Sequence, residues 1–150
     1  MAETGASLRI ASDPALFREA RAWLAAIASG AGFDSGEVHD VNLALSEACA
    51  NAHRHAYAGR RDGVIEIDAS WDLEALRIRV RDHGVRFDPE AWRPPDLDDP
   101  TEGGYGVFLI RNLMDDVRFR DEGSGMEVVM TKRLRRTGSG RAVAAGGGRR

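Results

Sequence analysis

Val64-Ile65-Glu66-Ile67-Asp68-Ala69-Ser70-Trp71 and Ala75-Leu76-Arg77-Ile78-Arg79-Val80-Arg81-Asp82 both alternate, and only Asp72-Leu73-Glu74 separates them. Successive side chains of a strand point to opposite faces, so the pattern predicts an antiparallel hairpin with one buried face and one charged, solvated face. A sheet of this kind needs a cover on its apolar side, and the flanking sequence supplies it. Asp13-Pro14 gives an N-cap with proline at the first helical position, opening a helix to about Gly30 whose apolar face is Leu16, Ala20, Trp23, Leu24 and Ile27. Phe33-Asp34-Ser35 introduces a second helix, about Gly36 to Ala58, closed by the turn residues Gly59-Arg60-Arg61-Asp62-Gly63. Leu8-Arg9-Ile10-Ala11 reads as a short strand. A third helix runs from Gly103-Gly104-Tyr105-Gly106 to about Asp115, and Val117–Arg120 and Met126–Thr131 form a second hairpin. The fold class predicted is α+β, a two-layer sandwich with helices on one face of a mixed, mostly antiparallel sheet. Residues 83–104 have little periodicity and carry Pro94, Pro95 and Pro100 among acids, the composition of a lid or an insert.

A chain of 150 residues is one domain of ordinary size, here read as residues 1–134 followed by a basic, disordered tail, 135–150. The single cysteine, Cys49, excludes an intramolecular disulfide and any cysteine-built metal site, which suits a cytoplasmic protein. No stretch is long and apolar enough for a membrane span or a secretion signal. Net charge is −3, but the tail holds five arginines and no acid, which leaves −8 for residues 1–134. Arginines scattered through Gly, Ala and Ser without aromatics read as a solvated end, not as a nucleic-acid surface. Lys132 is the only lysine, and no phosphate-binding loop of the G-x-x-x-x-G-K type occurs, so a nucleotide would have to be held by other means.

Three segments could hold one. Glu47 and Asn51 stand four residues apart on the second helix, where Cβ atoms are roughly 5–6 Å apart, so one can hold a metal ion while the other receives a proton. With Arg54 they would equally make a solvated helical stripe. Asp82 ends a strand ahead of His83-Gly84. Its carboxylate can accept a hydrogen bond from the adenine amine and would repel the guanine carbonyl, while Gly84 would admit a purine ring close to the backbone. A plain strand-ending turn is the alternative. Gly103-Gly104-Tyr105-Gly106 stands before a helix, where backbone N–H groups can face phosphate, although glycine there is also ordinary loop punctuation. His53 and His55 point to different helix faces and do not form a chelating pair, and His53 is expected at the surface.

Taken in this order, the segments resemble the Bergerat-type (GHKL) ATPase superfamily, and in particular its anti-sigma-factor serine/threonine kinases, over about residues 8–134. Leu45-Ser46-Glu47-Ala48-Cys49-Ala50-Asn51-Ala52 with His55 and Tyr57 is similar to the N-box, Asp82-His83-Gly84 with Phe87-Asp88-Pro89 to the first glycine box, and Gly103–Ile110 to the second. The resemblance implies ATP and Mg²⁺ as cofactors. It implies Glu47 as catalytic general base, Asn51 as Mg²⁺ ligand, Asp82 on adenine, and Gly84, Gly104, Tyr105 and Gly106 along the nucleotide, with Thr131 supporting Asp82 through water. It implies a STAS-type anti-anti-sigma protein as substrate, a sigma factor as second partner, and a homodimer. A non-catalytic ATP-binding module acting by occlusion, and a switch kinase that acts on a STAS scaffold without binding a sigma factor, are the alternatives. Arg86 stands where the superfamily commonly has a further glycine, and no basic residue lies between Arg93 and Arg111.

Overall fold

The computed structural model describes residues 3–84 and 105–135. Strand β1 (Thr4–Ala11) leads through a 3₁₀ turn (Pro14–Leu16) to α1 (Phe17–Ala31) and α2 (Ser35–Asn51), and a π-helical segment (Ala52–Ala56) continues α2. Strands β2 (Val64–Trp71) and β3 (Ala75–Arg81), helix α3 (Tyr105–Leu113), and strands β4 (Asp116–Asp121) and β5 (Met126–Arg133) follow. The five strands pair antiparallel throughout, in the order β1-β2-β3-β5-β4. This is the predicted α+β sandwich, with three helices on one face, but the sheet is not mixed: every pairing among the described strands is antiparallel. The lid beyond Gly84 and the tail beyond Arg135 lie outside the described residues.

Local sequence explains the helix starts. Asp13 accepts from the Ala15 amide at 3.0 Å ahead of Pro14. Asp34 accepts from the Glu37 amide at 2.8 Å while Glu37 accepts from the Asp34 amide at 2.9 Å, so two otherwise orphaned donors are satisfied together. Alternation then decides which face is covered. In β3, Leu76, Ile78 and Val80 are buried while Arg77 and Arg79 are exposed. The register sets Ile78 between Ala69 and Met130, and against this layer pack Leu24 of α1, Val41, Leu45 and Ala48 of α2, and Ile110 of α3. On the opposite face Glu127, its side chain 6% exposed, lies between Arg79 at 3.5 Å and Arg120 at 3.4 Å.

Two elements differ from their predicted bounds. β1 starts at Thr4, four residues early, because it pairs along all of β2 from Thr4 opposite Trp71 to Ala11 opposite Val64. The second helix changes pitch after Asn51, where Tyr57 donates its amide to the Ala52 carbonyl at 3.0 Å, five residues back. His53 is half-buried, not at the surface as expected: its Nδ1 lies 2.7 Å from the Ser12 carbonyl, which can only accept, so Nδ1 carries the proton. Ser12 is itself fully buried, donates to the Arg60 carbonyl at 2.6 Å and accepts from the Gly63 amide at 3.0 Å. Lys132 is buried as well, with Nζ 2.8 Å from the Leu113 carbonyl at the end of α3, where a cation suits the helix dipole.

The packing yields two expectations. Ile78→Ala removes a fully buried side chain from the central strand and should cost about 2–5 kcal/mol, read from the urea midpoint at constant slope. Burial pushes the Cys49 thiol up to about 12, so it is neutral at pH 8. A thiol-exchange reagent should therefore leave native protein unmodified and label one thiol per chain in denaturant, whereas rapid labelling of the native state would contradict the helix packing.

Candidate functional site

The pitch change leaves Asn51 as the last residue of α2, one turn beyond Glu47. The N-terminal turn of α3 abuts both: a Cβ built on Gly106 would lie 2.7 Å from Glu47 Oε1 and 3.3 Å from Asn51 Oδ1. Glycine at 106 thus lets a helix N-terminus, with its outward N–H groups, approach a carboxylate and a carboxamide directly. Arg54 reaches back to Asn51 Oδ1 at 3.4 Å. Asn51 Oδ1 is an oxygen donor of the hard type that Mg²⁺ prefers, and one such donor suits an ion whose other ligands are phosphate oxygens and water.

Asn51 shares a cleft with Asp82. Its walls are Ala48, Ala52, Ala56, Val80, Ile110, Phe119, Met126 and Val128, with His55, Asn51 and Asp82 as the polar groups. This is the composition of a small-molecule site, mostly apolar walls with a few polar groups. Asp82 is buried, and its Oδ1 accepts from the Gly84 amide at 3.1 Å and the Met126 amide at 3.2 Å. Among the described residues neither bond engages Oδ2. Burial raises the Asp82 pKa and outweighs the lowering by those two amides and His83. Burial first, and Arg54 second, lower that of His55, which keeps the imidazole neutral at pH 7.

Two glycines let the backbone close around Asp82. A Cβ on Gly84 would fall 2.1 Å from the Ala56 carbonyl oxygen, so the π segment already requires glycine there. Gly125 has φ +156°, and a Cβ on it would fall 2.0 Å from the Asp82 carbonyl oxygen.

Asn51 and Asp82 therefore line one cleft, with Gly106 set against Glu47 and Asn51 at one side and Gly84 against Ala56 of its wall. Gly104 and the side chain of Tyr105 lie outside the described residues. Thr131 is corrected: the register sets it opposite Arg77, whereas Met126 donates to Asp82. Five residues along a strand are about 17 Å, and an odd step also puts Thr131 on the opposite face of the sheet, so no single water joins it to Asp82. Sequence reasoning missed Met126, Gly125 and Ala56, which act through main-chain atoms, and noted His55 only as a neighbour of the N-box. The Gly-Ser-Gly before β5 was the available signal for Gly125.

Asp82 gives a signed pH prediction. Its folded pKa is raised, so its contribution to stability is full below the unfolded value and is lost as pH rises through the folded value. Asp82→Asn keeps the Oδ1 acceptor and removes the buried charge. Without nucleotide at pH 7 it should melt at or above the wild-type temperature, and the difference should vanish near pH 3; a variant less stable at pH 7 would contradict the assignment.

Residues 10–132 match the family described as histidine kinase-like ATPase domain. A Listeria monocytogenes protein named serine-protein kinase RsbW is 38% identical over 135 residues, covering 84% of this chain and 85% of the relative. Its Bacillus subtilis namesake is 34% identical over 136 residues, covering 85% and 84%. The crystal structure of the RsbU and RsbW domains of a Mycobacterium tuberculosis protein superposes with a TM-score of 0.69 at 22% identity, over 93% of this chain and 34% of that one. The chain belongs to the histidine kinase-like ATPase domain family, in which it is similar to the RsbW serine-protein kinases.

Proposed function

We propose that the chain is an ATP-dependent protein serine kinase and anti-sigma factor, which phosphorylates a STAS-type anti-anti-sigma protein and sequesters a sigma factor in the cytoplasm, with residues 1–134 as the kinase domain. The observation that carries the reading is the convergence of Glu47 and Asn51 on Gly106, with Asp82 in the adjoining cleft. Kinase names among relatives that align over most of their length support it. No helix among the described residues is long and apolar enough to cross a membrane.

Each group has a physical task. Asp82 Oδ2 accepts from the adenine amine, and the apolar walls exclude water from the ring. The N–H groups at the start of α3 face the phosphates. Asn51 Oδ1 would hold Mg²⁺, which would supply charge neutralisation at the phosphates. Glu47 takes the proton of the acceptor hydroxyl as its oxygen bonds to the γ-phosphorus and the bond to the β–γ bridging oxygen breaks. The sheet face away from the helices, with acids on β2 and arginines on β3 and β4, is a candidate surface for a homodimer.

Melting with Mg-ATP, Mg-GTP, and ATP plus chelator tests the pocket: at 100-fold excess over Kd, Mg-ATP alone should add about 2.7 kcal/mol. Glu47→Ala should lower transfer to a purified STAS protein by about 10²–10⁴-fold with ATP binding largely retained. Asn51→Ala should weaken both. No Mg-ATP stabilisation would overturn the reading, and stabilisation of the wild type without transfer would favour the occluding module.

A further inference from the structure

We propose that Tyr57 is a positioning residue for base recognition: its hydroxyl locks the turn that carries Asp82 to the end of the Asn51 helix and so sets the preference for adenine. The inference rests on the adenine-nucleotide reading of the cleft. The hydroxyl donates to the Val64 carbonyl at 2.6 Å and accepts from the His83 amide at 2.8 Å. One oxygen thereby joins the π segment, the first residue of β2 and the residue after Asp82.

The seat of the ring is built for it. A Cβ on Gly63 would lie 2.5 Å from ring carbons of Tyr57, so the glycine admits the ring. At its other end Tyr57 donates its amide to the Ala52 carbonyl, which ties it to the helical turn that follows Asn51. Asp82 is bound through its amide and Oδ1 to Met126, and through Oδ1 to Gly84. Those bonds fix the carboxylate relative to β5 and its own turn, but none reaches the helix layer. Apolar contact between helix and sheet is non-directional, whereas a hydrogen bond fixes distance and angle. Reading an exocyclic amine requires the carboxylate to be held within about 0.5 Å of its working position relative to the group that anchors the phosphates. Tyr57 supplies the directional link between the two.

Tyr57→Phe keeps the ring and deletes the link. Inosine triphosphate, which carries a carbonyl where adenine carries its amine, is the control. Calorimetry on the full chain should show ATP affinity falling about fivefold to tenfold, the worth of one directional hydrogen bond, while inosine triphosphate affinity changes less than about twofold. The ATP preference then contracts by at least about 2.5-fold. A role confined to stability would lower the melting temperature and leave that ratio at its wild-type value, which would overturn the proposal. A wild-type protein without any preference for ATP would instead overturn the adenine reading, and this inference with it. Should the variant fail to fold, amide exchange on the wild type decides: the His83 amide, next to an exposed side chain, should exchange at least about tenfold slower than an unprotected amide, and free exchange would refute the clamp.

Discussion

Everything in the site depends on how closely α2 can lie between the sheet beneath it and α3 beside it. The buried side of α2 and its first continuation residue is rich in small side chains: Ala44, Ala48, Cys49 and Ala52 are all at most 4% exposed. Larger side chains there would lift the helix from the sheet and separate Glu47 and Asn51 from Gly106. The small residues bury little area each, so cohesion comes from the large ones around them, Leu45 and Val41 on α2 and Ile65, Ile67, Ile78 and Met130 on the sheet. The fold thus divides its labour: bulk in the strands, closeness in the helix.

That closeness has a cost concentrated at Asp82. A carboxylate set among apolar walls loses hydration, which raises its pKa, and backbone amides only partly compensate. A protein selected for stability alone would place a neutral residue there. Its retention is what a site that must distinguish an amine from a carbonyl would require, since the discriminating group has to be an acceptor with no donor of its own.

The sheet and helices were legible because their signals are local and repetitive. Alternation in Val64–Trp71 and Ala75–Asp82 states which face is buried, and Asp34 with Glu37 states where α2 begins. Glu47 and Asn51 were legible because helical spacing alone makes them neighbours. What escaped was set by contacts between distant parts of the chain. Thr131 failed because register, not proximity to a strand end, decides what faces Asp82, and the partner proved to be the main chain of Met126. The π segment was invisible because it depends on the Ser12 carbonyl waiting for His53 and on the seat at Gly63 waiting for Tyr57. The need for glycine at 84 is likewise set at a distance, by the Ala56 carbonyl.

Lys132 has one more implication. As the only lysine of 150 residues, folded under the last carbonyl of α3, it leaves the positive charge of the described surface to arginine, which keeps its proton at any pH the fold survives. Reagents that seek a primary side-chain amine find no ready target on that surface. Acylation or amine crosslinking at Lys132 would therefore register the parting of α3 from β5, a gauge of opening at the end of the helix whose other end faces Glu47 and Asn51.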